Sequence, residues 1–365
     1  LSPATGESVG EVLEADEGVA REAMAAAQSG FAGWSATPVE ERARIIDHAA
    51  DLLEQRRGAF IALLQTEGGK TLDDCVAEWR EAIDYCRYYA VQARKTLVPQ
   101  AMPGPTGESN ELRYRGRGVF VCISPWNFPL AIFLGQVTAA LVAGNAVVAK
   151  PAEQTPIVAY EAVRLLHEAG IPKSALQLVI GDGAVGAKLI ADHRVAGAAF
   201  TGSTEVAHII ARSLAGKDGP IVPFIAETGG VNAMIVDATA LPEQVADDVV
   251  GSVFRSAGQR CSALRLLCVQ EDVADAIFTM VEGAARELVL GDPRNPATHV
   301  GPVIDQESKE RLDGWIARHS KHVRYRWDSD HLLPYGLFVP PTIIELSSAA
   351  DLKEEVFGPI LHVVR

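Results

Sequence analysis

The chain reads as an α/β protein built on parallel sheet, with a second α/β region following the first. Three observations point there. From Val119 onward, short β-type runs alternate with helical runs, the order that a parallel sheet wrapped by helices produces. The stretch from Val119 to Ala149 carries no charge but is broken by Pro125, Pro129 and Gly144-Asn145. It therefore reads as strand, buried helix and strand rather than as a membrane span. Finally, 365 residues with 48% apolar and 22% charged side chains suit two ordinary globular domains.

Along the chain, the first hundred residues read as helices. Thr37-Pro38-Val39-Glu40 has the form of a capping box with proline at the first helical position, and Ala43, Ile46, Ala50 and Leu53 follow at helical spacing. A further helix is predicted from Thr71 to Arg94. Residues 98–118, rich in Pro, Gly and polar side chains, predict a protruding excursion or β-hairpin. Strands are then expected at Val119–Ile123, Ala146–Ala149, Leu176–Ile180, Ala198–Thr201 and Ile221–Ala226. Helices are expected at Leu130–Ala143, Thr155–Ala169, Ala184–Ala191 and Ser203–Leu214. The second region begins near Glu227, with strands at Ala233–Val236 and Leu264–Val269 and helices at Pro242–Ser256 and Val273–Leu290. Leu332–Pro341 reads as a loop, and Thr342–Leu346 and Ile360–Val364 as strands. The division is expected at Thr228-Gly229-Gly230, giving domains of residues 1–227 and 228–365.

Charge and cysteine usage narrow the function classes. Lys and Arg total 33 against 47 Asp and Glu, a net charge of −14. That balance argues against a nucleic-acid or anionic-membrane binder, since both need a basic face. Five scattered cysteines, Cys75, Cys86, Cys122, Cys261 and Cys268, contain no CxxC pair, so neither a disulfide framework nor a zinc site is expected. An odd count fits a reducing, cytoplasmic compartment. Leu1 to Gly10 show no basic or apolar leader region. The chain opens on Leu and stops at Arg365 just after an apolar run, so both ends read as cut.

Several clusters carry possible chemistry. Gly181-Asp182-Gly183-Ala184-Val185-Gly186 matches G-x-G-x-x-G between a predicted strand and helix, with Glu205 near the usual acidic position; a plain tight turn gives the same pattern. Thr201-Gly202-Ser203-Thr204, at the next strand end, is either a phosphate-binding helix start or a simple N-cap. Lys150 leaves a buried strand three residues before Glu153. The pair suits ribose hydroxyls, with Glu153 repelling a 2′-phosphate, or is a surface ion pair. Cys261, in Gly258-Gln259-Arg260-Cys261-Ser262, has an adjacent cation that would favour the thiolate, whereas the other cysteines sit in apolar or helical runs. Glu227 ends an apolar strand beside Gly229-Gly230, where partial desolvation would suit a base near neutral pH. A Cys–His hydrolase finds little support, because His193, His208, His299 and His322 read as surface or turn residues.

In order, Ser124-Pro125-Trp126-Asn127-Phe128-Pro129, Lys150-Pro151-Ala152-Glu153-Gln154-Thr155-Pro156, Phe200-Thr201-Gly202-Ser203, Glu227-Thr228-Gly229-Gly230, Gly258-Gln259-Arg260-Cys261 and Glu354-Glu355-Val356-Phe357-Gly358-Pro359 resemble the aldehyde dehydrogenase superfamily along essentially the whole chain. The stretches from Phe254 to Arg265 and from Glu227 to Met234 are similar to its L-glutamate-γ-semialdehyde dehydrogenase members, including bacterial modules that follow a flavin-dependent proline dehydrogenase in one chain. The resemblance implies a Rossmann-type NAD-binding domain with N-terminal helices, then a catalytic domain that is C-terminally truncated and lacks the aldehyde-anchoring segment and the terminal dimerisation strand. It implies Cys261 as nucleophile, Glu227 as base and Asn127 with the Cys261 N–H as oxyanion donors. For NAD it implies Ser124, Pro125, Trp126, Lys150, Glu153, Gly202, Ser203, Glu355 and Phe357, with Gly183 moved from phosphate cradle to adenine flank. For the small aldehyde substrate it implies Ser262 and Phe128. A homo-oligomer when full length and a proline dehydrogenase domain in the parent chain are the partners it implies. Another semialdehyde such as succinate semialdehyde, or a fragment that keeps NAD binding without turnover, stays open as an alternative.

Overall fold

A computed structural model describes residues 1–328 and 335–365. It divides into two compact units. One comprises Glu11–Leu63 and Val76–Thr228; the other comprises Leu1–Gly10, Leu64–Cys75 and Gly229–Arg365. Where the sequence suggests one cut between residues 227 and 228, the structure cuts after Thr228 and groups residues 1–10 and 64–75 with the C-terminal unit. Chain order alone does not show such a grouping.

The elements of the larger unit begin with helices α1 (Glu17–Ala36), α2 (Val39–Gln55), α3 (Arg57–Thr66) and α4 (Leu72–Thr96), the last two running into residues of the other unit. The expected capping box at Thr37 is not formed. Pro38 occupies the N-cap of α2 without a side-chain cap bond, and Thr37 instead closes α1, its hydroxyl donating to the Gly33 carbonyl and its N–H to that of Trp34. With two residues, Thr37 and Pro38, between the helices, Thr37 serves the end of the first. Glu40 pairs with Arg94 of α4 instead of reaching back. Strands β1 (Gln100–Met102) and β2 (Asn110–Leu112) then form an exposed antiparallel hairpin.

The sheet strands are β3 (Val119–Ile123), β4 (Ala146–Lys150), β5 (Leu176–Leu178), β6 (Val195–Gly202) and β7 (Phe224–Thr228), all parallel, in the order β5-β4-β3-β6-β7. The intervening helices are α5 (Ala131–Val142), α6 (Pro156–Ala169), α7 (Gly183–Ala191) and α8 (Thr204–Ala215). The charge-free stretch is thus β3, α5 and β4, buried nearly throughout because the sheet is covered on both faces. Alternate residues Val119, Val121, Ala146 and Val148 pack with α1, α7 and α8. The chain leaves β3 first toward β4 and β5, then returns to β6 on its other side. The switch point between β3 and β6 is where ligands bind in open sheets of this kind.

In the second unit, β8 (Asn232–Val236), α9 (Pro242–Phe254), β9 (Leu264–Val269), α10 (Glu271–Arg286), α11 (Gln306–Arg318), β10 (Val323–Arg326), β11 (Thr342–Glu345) and β12 (Ile360–Val364) build a sheet of order β10-β11-β12-β9-β8. Only the β10–β11 pairing is antiparallel among its described strands. Its core gathers Val249, Phe254, Leu267, Ile277, Phe278, Ile344 and Leu361. Helix α11 and strand β10 were not expected. The first is mostly polar, burying Leu312 and Ile316, and the second is a four-residue edge. The loop expected at Leu332–Pro341 lies partly outside the described residues; its remainder has no helix or strand before β11. Among the described residues, no helix is long and apolar enough to cross a membrane.

Candidate active site

In the larger unit, the sequence-predicted residues gather at the carboxyl ends of adjacent strands. Ser124 to Pro129 follow β3 and lead into α5. Ser124 is buried, and its hydroxyl is engaged inward on Gln136 of α5. With the Gln136 amide oriented to satisfy all its neighbours, it donates to Ile123 C=O and Ser124 Oγ and accepts from Thr201 Oγ1 and N–H. This unpredicted side chain ties the loop after β3 to strand β6. Pro125, Trp126, Asn127 and Phe128 are half-buried on that loop. Buried Glu78 of α4 accepts the Leu130 and Ala131 N–H groups at 2.9 and 3.3 Å, capping the helix that Asn127 precedes.

Lys150 ends β4, buried, with Nζ donating to Pro151 C=O and 3.7 Å from the Glu153 carboxylate. Burial pulls its ammonium below the ordinary lysine value, and Glu153 and Asp182 oppose that. At the start of α7, Asp182 accepts from the Ala184 and Val185 N–H groups, and Gly183 faces open space. At the start of α8, Ser203 accepts from Val206 N–H. Gly202 leaves no room for a side chain, since a Cβ there would lie 2.5 Å from the Phe200 ring. Glu227 sits near the end of β7 and is exposed. The expected desolvation is not seen, because β7 is the edge of its sheet and is flanked by β6 alone.

The second unit holds the cysteine. Ser256, Ala257 and Gly258 take three consecutive left-handed conformations, with φ of 55°, 51° and 67°. For Ser and Ala this region is strained. Cys261 and Ser262 follow, both exposed, and the Cys261 carbonyl accepts from Asn232 Nδ2 at 2.7 Å. Of the five cysteines only Cys261 is exposed. Burial pushes the Cys86 and Cys122 thiols up to about 12, leaving them inert. Arg260, the cation adjacent to Cys261, directs Nη2 to the Gly251 and Ser252 carbonyls at the end of α9. Gln259 braces the turn, donating to Ser256 and Pro302 carbonyls and accepting from Ile304 N–H.

Glu355 and Phe357 lie just before β12, half-buried. A Cβ on Gly229 would fall 1.8 Å from Glu355 Oε2, and the Gly230 N–H favours the charged form of the same carboxylate. The glycine pair thus makes the seat for Glu355. Burial raises the Glu355 carboxyl above the ordinary value, opposed mainly by Arg265, whose Nη2 stands 3.2 Å from Oε1.

The profile of the aldehyde dehydrogenase family matches residues 1–365. The chain belongs to that family. A bifunctional protein PutA of Klebsiella aerogenes is 49% identical over 98% of this chain, which covers 27% of that protein. A mutant of proline utilization A from Bradyrhizobium japonicum matches with a TM-score of 0.95 and 67% identity, over 97% of this chain and 36% of its own. A 1-pyrroline-5-carboxylate dehydrogenase from Thermus, solved with bound NAD, matches with a TM-score of 0.94 and 33% identity, over all of this chain and 72% of its own. The chain therefore spans about a quarter of the curated PutA proteins it matches.

The residues of this aldehyde dehydrogenase chain fit a dinucleotide. Lys150 and Glu153 offer a donor and an acceptor at one strand end, the α8 start offers unpaired helical N–H groups beside Ser203, and Gly183 leaves space. Sequence reasoning missed Gln136, Glu78, Asn232 and Arg265. A visible signal existed for the last, a charge inside the otherwise apolar strand Leu264–Val269.

Proposed function

We propose that this chain carries the NAD-dependent oxidation of L-glutamate γ-semialdehyde to L-glutamate, the second step of proline catabolism. The observation that carries the reading is the exposed Cys261 just after its left-handed turn, the one exposed cysteine of the five, in an aldehyde dehydrogenase. The Cys261 thiolate adds to the aldehyde carbon, and the oxyanion of the resulting hemithioacetal takes hydrogen bonds from its own N–H and from the Asn127 amide. Bound NAD supplies the hydride acceptor. Lys150, Glu153, Gly202 and Ser203 hold its adenosine and pyrophosphate side; Glu355 and Phe357 hold its nicotinamide ribose. The thioester left on Cys261 is hydrolysed by water from which Glu227 takes a proton, releasing the carboxylate and restoring the thiol. Exposure of Glu227 on an edge strand gives that water access.

The substrate rests on likeness to PutA and to a 1-pyrroline-5-carboxylate dehydrogenase, whose cyclic imine opens with water to this semialdehyde. Ser262 and Phe128 border the substrate, with Ser262 donating to its carboxylate. A proline dehydrogenase domain in the same parent chain, a homo-oligomer and a cytoplasmic setting complete the reading; five free cysteines and the bifunctional relatives support it. The test follows NADH by absorbance with glutamate and succinate semialdehydes. The expected result is a higher kcat/KM for the first, with Cys261→Ala losing on the order of a thousandfold or more. Preference for succinate semialdehyde would reassign the substrate. NAD binding without turnover would make the chain a binding fragment.

A further inference from the structure

We propose that Arg265 is a positioning residue that holds the nucleophile turn and the Glu355–Gly358 loop in one register, so that thiol geometry and cofactor-ribose binding are set together. The proposal rests on the reading above, in which Cys261 reacts and Glu355 and Phe357 hold the ribose. Arg265 stands on β9 with no solvent exposure, the largest fully buried side chain among the described residues. Its Nη1 donates to the Gly258 carbonyl at 2.6 Å and the Gly358 carbonyl at 3.3 Å. Its Nη2 donates to the Arg260 carbonyl at 2.9 Å and to Glu355 Oε1 at 3.2 Å. The guanidinium carbon lies 5.1 Å from the Phe357 ring centre. Every hydrogen-bond partner given above for the guanidinium belongs to one of two loops: the turn before Cys261, or the segment carrying Glu355 and Phe357.

Stability alone is a poor account of this arrangement. A buried ion pair is often replaced by apolar residues at no loss, and here Nε has no hydrogen-bond partner. What a planar fork achieves is geometry, since it addresses four acceptors in fixed directions as a lysine ammonium cannot. The turn it holds needs holding. Ser256, Ala257 and Gly258 are left-handed, and Gly258 packs so closely on the other loop that a Cβ would fall 2.0 Å from the Gly358 oxygen. Of the Glu355 carboxylate, one oxygen is tied to Arg265 and the other lies against Gly229. A shift of the guanidinium therefore moves both loops.

The test compares Arg265→Lys and Arg265→Met with the wild-type full chain in three measurements: thermal unfolding, NAD dissociation constant by equilibrium dialysis, and the rate of Cys261 alkylation by iodoacetamide with and without NAD. The expected result is a folded Arg265→Lys protein with NAD affinity reduced about tenfold and an alkylation rate changed at least about threefold. In that variant the rate no longer responds to NAD as in the wild type. Folded variants with both quantities within about twofold of wild type would overturn the proposal. So would failure of both variants to fold, which makes Arg265 a structural residue. If the functional reading itself is wrong, wild type neither binds NAD nor shows selective Cys261 alkylation, a result separate from any difference among the variants.

Discussion

The two sheets differ in how they hold most of their functional loops. In the first, β3 and β4 are apolar and buried, and the helix starts after β5 and β6 are set by local caps, whereas the loop after β3 is held from a distance by Glu78 and Gln136. Asp182 caps α7 from two residues away, and Ser203 caps α8 from three. In the second, fully buried polar side chains stand inside the sheet. Arg265 of β9 reaches residues 93 and 90 positions distant. His362 of β12 accepts from Trp315 Nε1 of α11 at 3.0 Å, 47 positions away, with its other ring nitrogen 3.2 Å from the Arg265 carbonyl. A lost cap frees one exposed helix end. A lost buried tie leaves an unpaired group in a low dielectric and releases two distant segments. The second sheet is accordingly the brittle one.

The largest expected effect tests that brittleness at Gly258. An alanine there must keep φ near 67° and place its Cβ 2.0 Å from a backbone oxygen that no rotamer change can move. Strain and overpacking together predict a loss of roughly 3 kcal/mol or more in urea unfolding. A loss below about 1 kcal/mol would show that the turn and the Gly358 loop yield easily, against the rigid coupling drawn from Arg265.

His362 comes next, and its effect depends on pH. Burial lowers its pKa to about 4 from an ordinary 6.5, and the bond from the Trp315 N–H requires a neutral acceptor. Between those values the unfolded chain binds a proton that the folded one refuses, so stability is full above pH 6.5 and falls as pH drops toward 4. At pH 5 the loss is about 2 kcal/mol. The stability gap between wild type and His362→Gln, measured by urea at pH 7.5 and 5, should narrow by about that amount. A gap independent of pH would mean that the imidazole is protonated in the fold.

The same contrast explains what could be read in the sequence. β3, β9 and β12 have the bounds expected of them, because continuous apolar runs between breakers report burial directly. Local features were legible too: Cys261, singled out by its Gly-Gln-Arg-Cys context, is the exposed cysteine, and Ser203 is an N-cap at its strand end. Thr37 misled because a capping pattern does not say which of two abutting helices it serves. Exposure of Glu227 was hidden because an edge strand and a central one carry similar apolar runs. Arg265 with Glu355, Gly229 with Glu355, and Trp315 with His362 were invisible, since each pairing is made by the packing of segments far apart in the chain.

The smallest effects belong to the first sheet. Asp182→Ala removes an exposed cap and should cost about 1 kcal/mol, read as a small shift of the urea midpoint. Its neighbour separates two views of the glycine-rich turn. A Cβ added at Gly183, the first residue of α7, would have nothing within 4 Å. Gly183→Ala should therefore leave stability unchanged or raised by at most about 1 kcal/mol. If Gly183 merely flanks the adenine, the added methyl finds space and the NAD dissociation constant rises less than about threefold, under 1 kcal/mol. A pyrophosphate cradled there would need the backbone to approach the phosphates directly, and a methyl group would obstruct it. A tenfold or greater loss of affinity with unchanged stability would return the G-x-G-x-x-G stretch to phosphate binding and move the cofactor's anchoring from Gly202 and Ser203 to the start of α7.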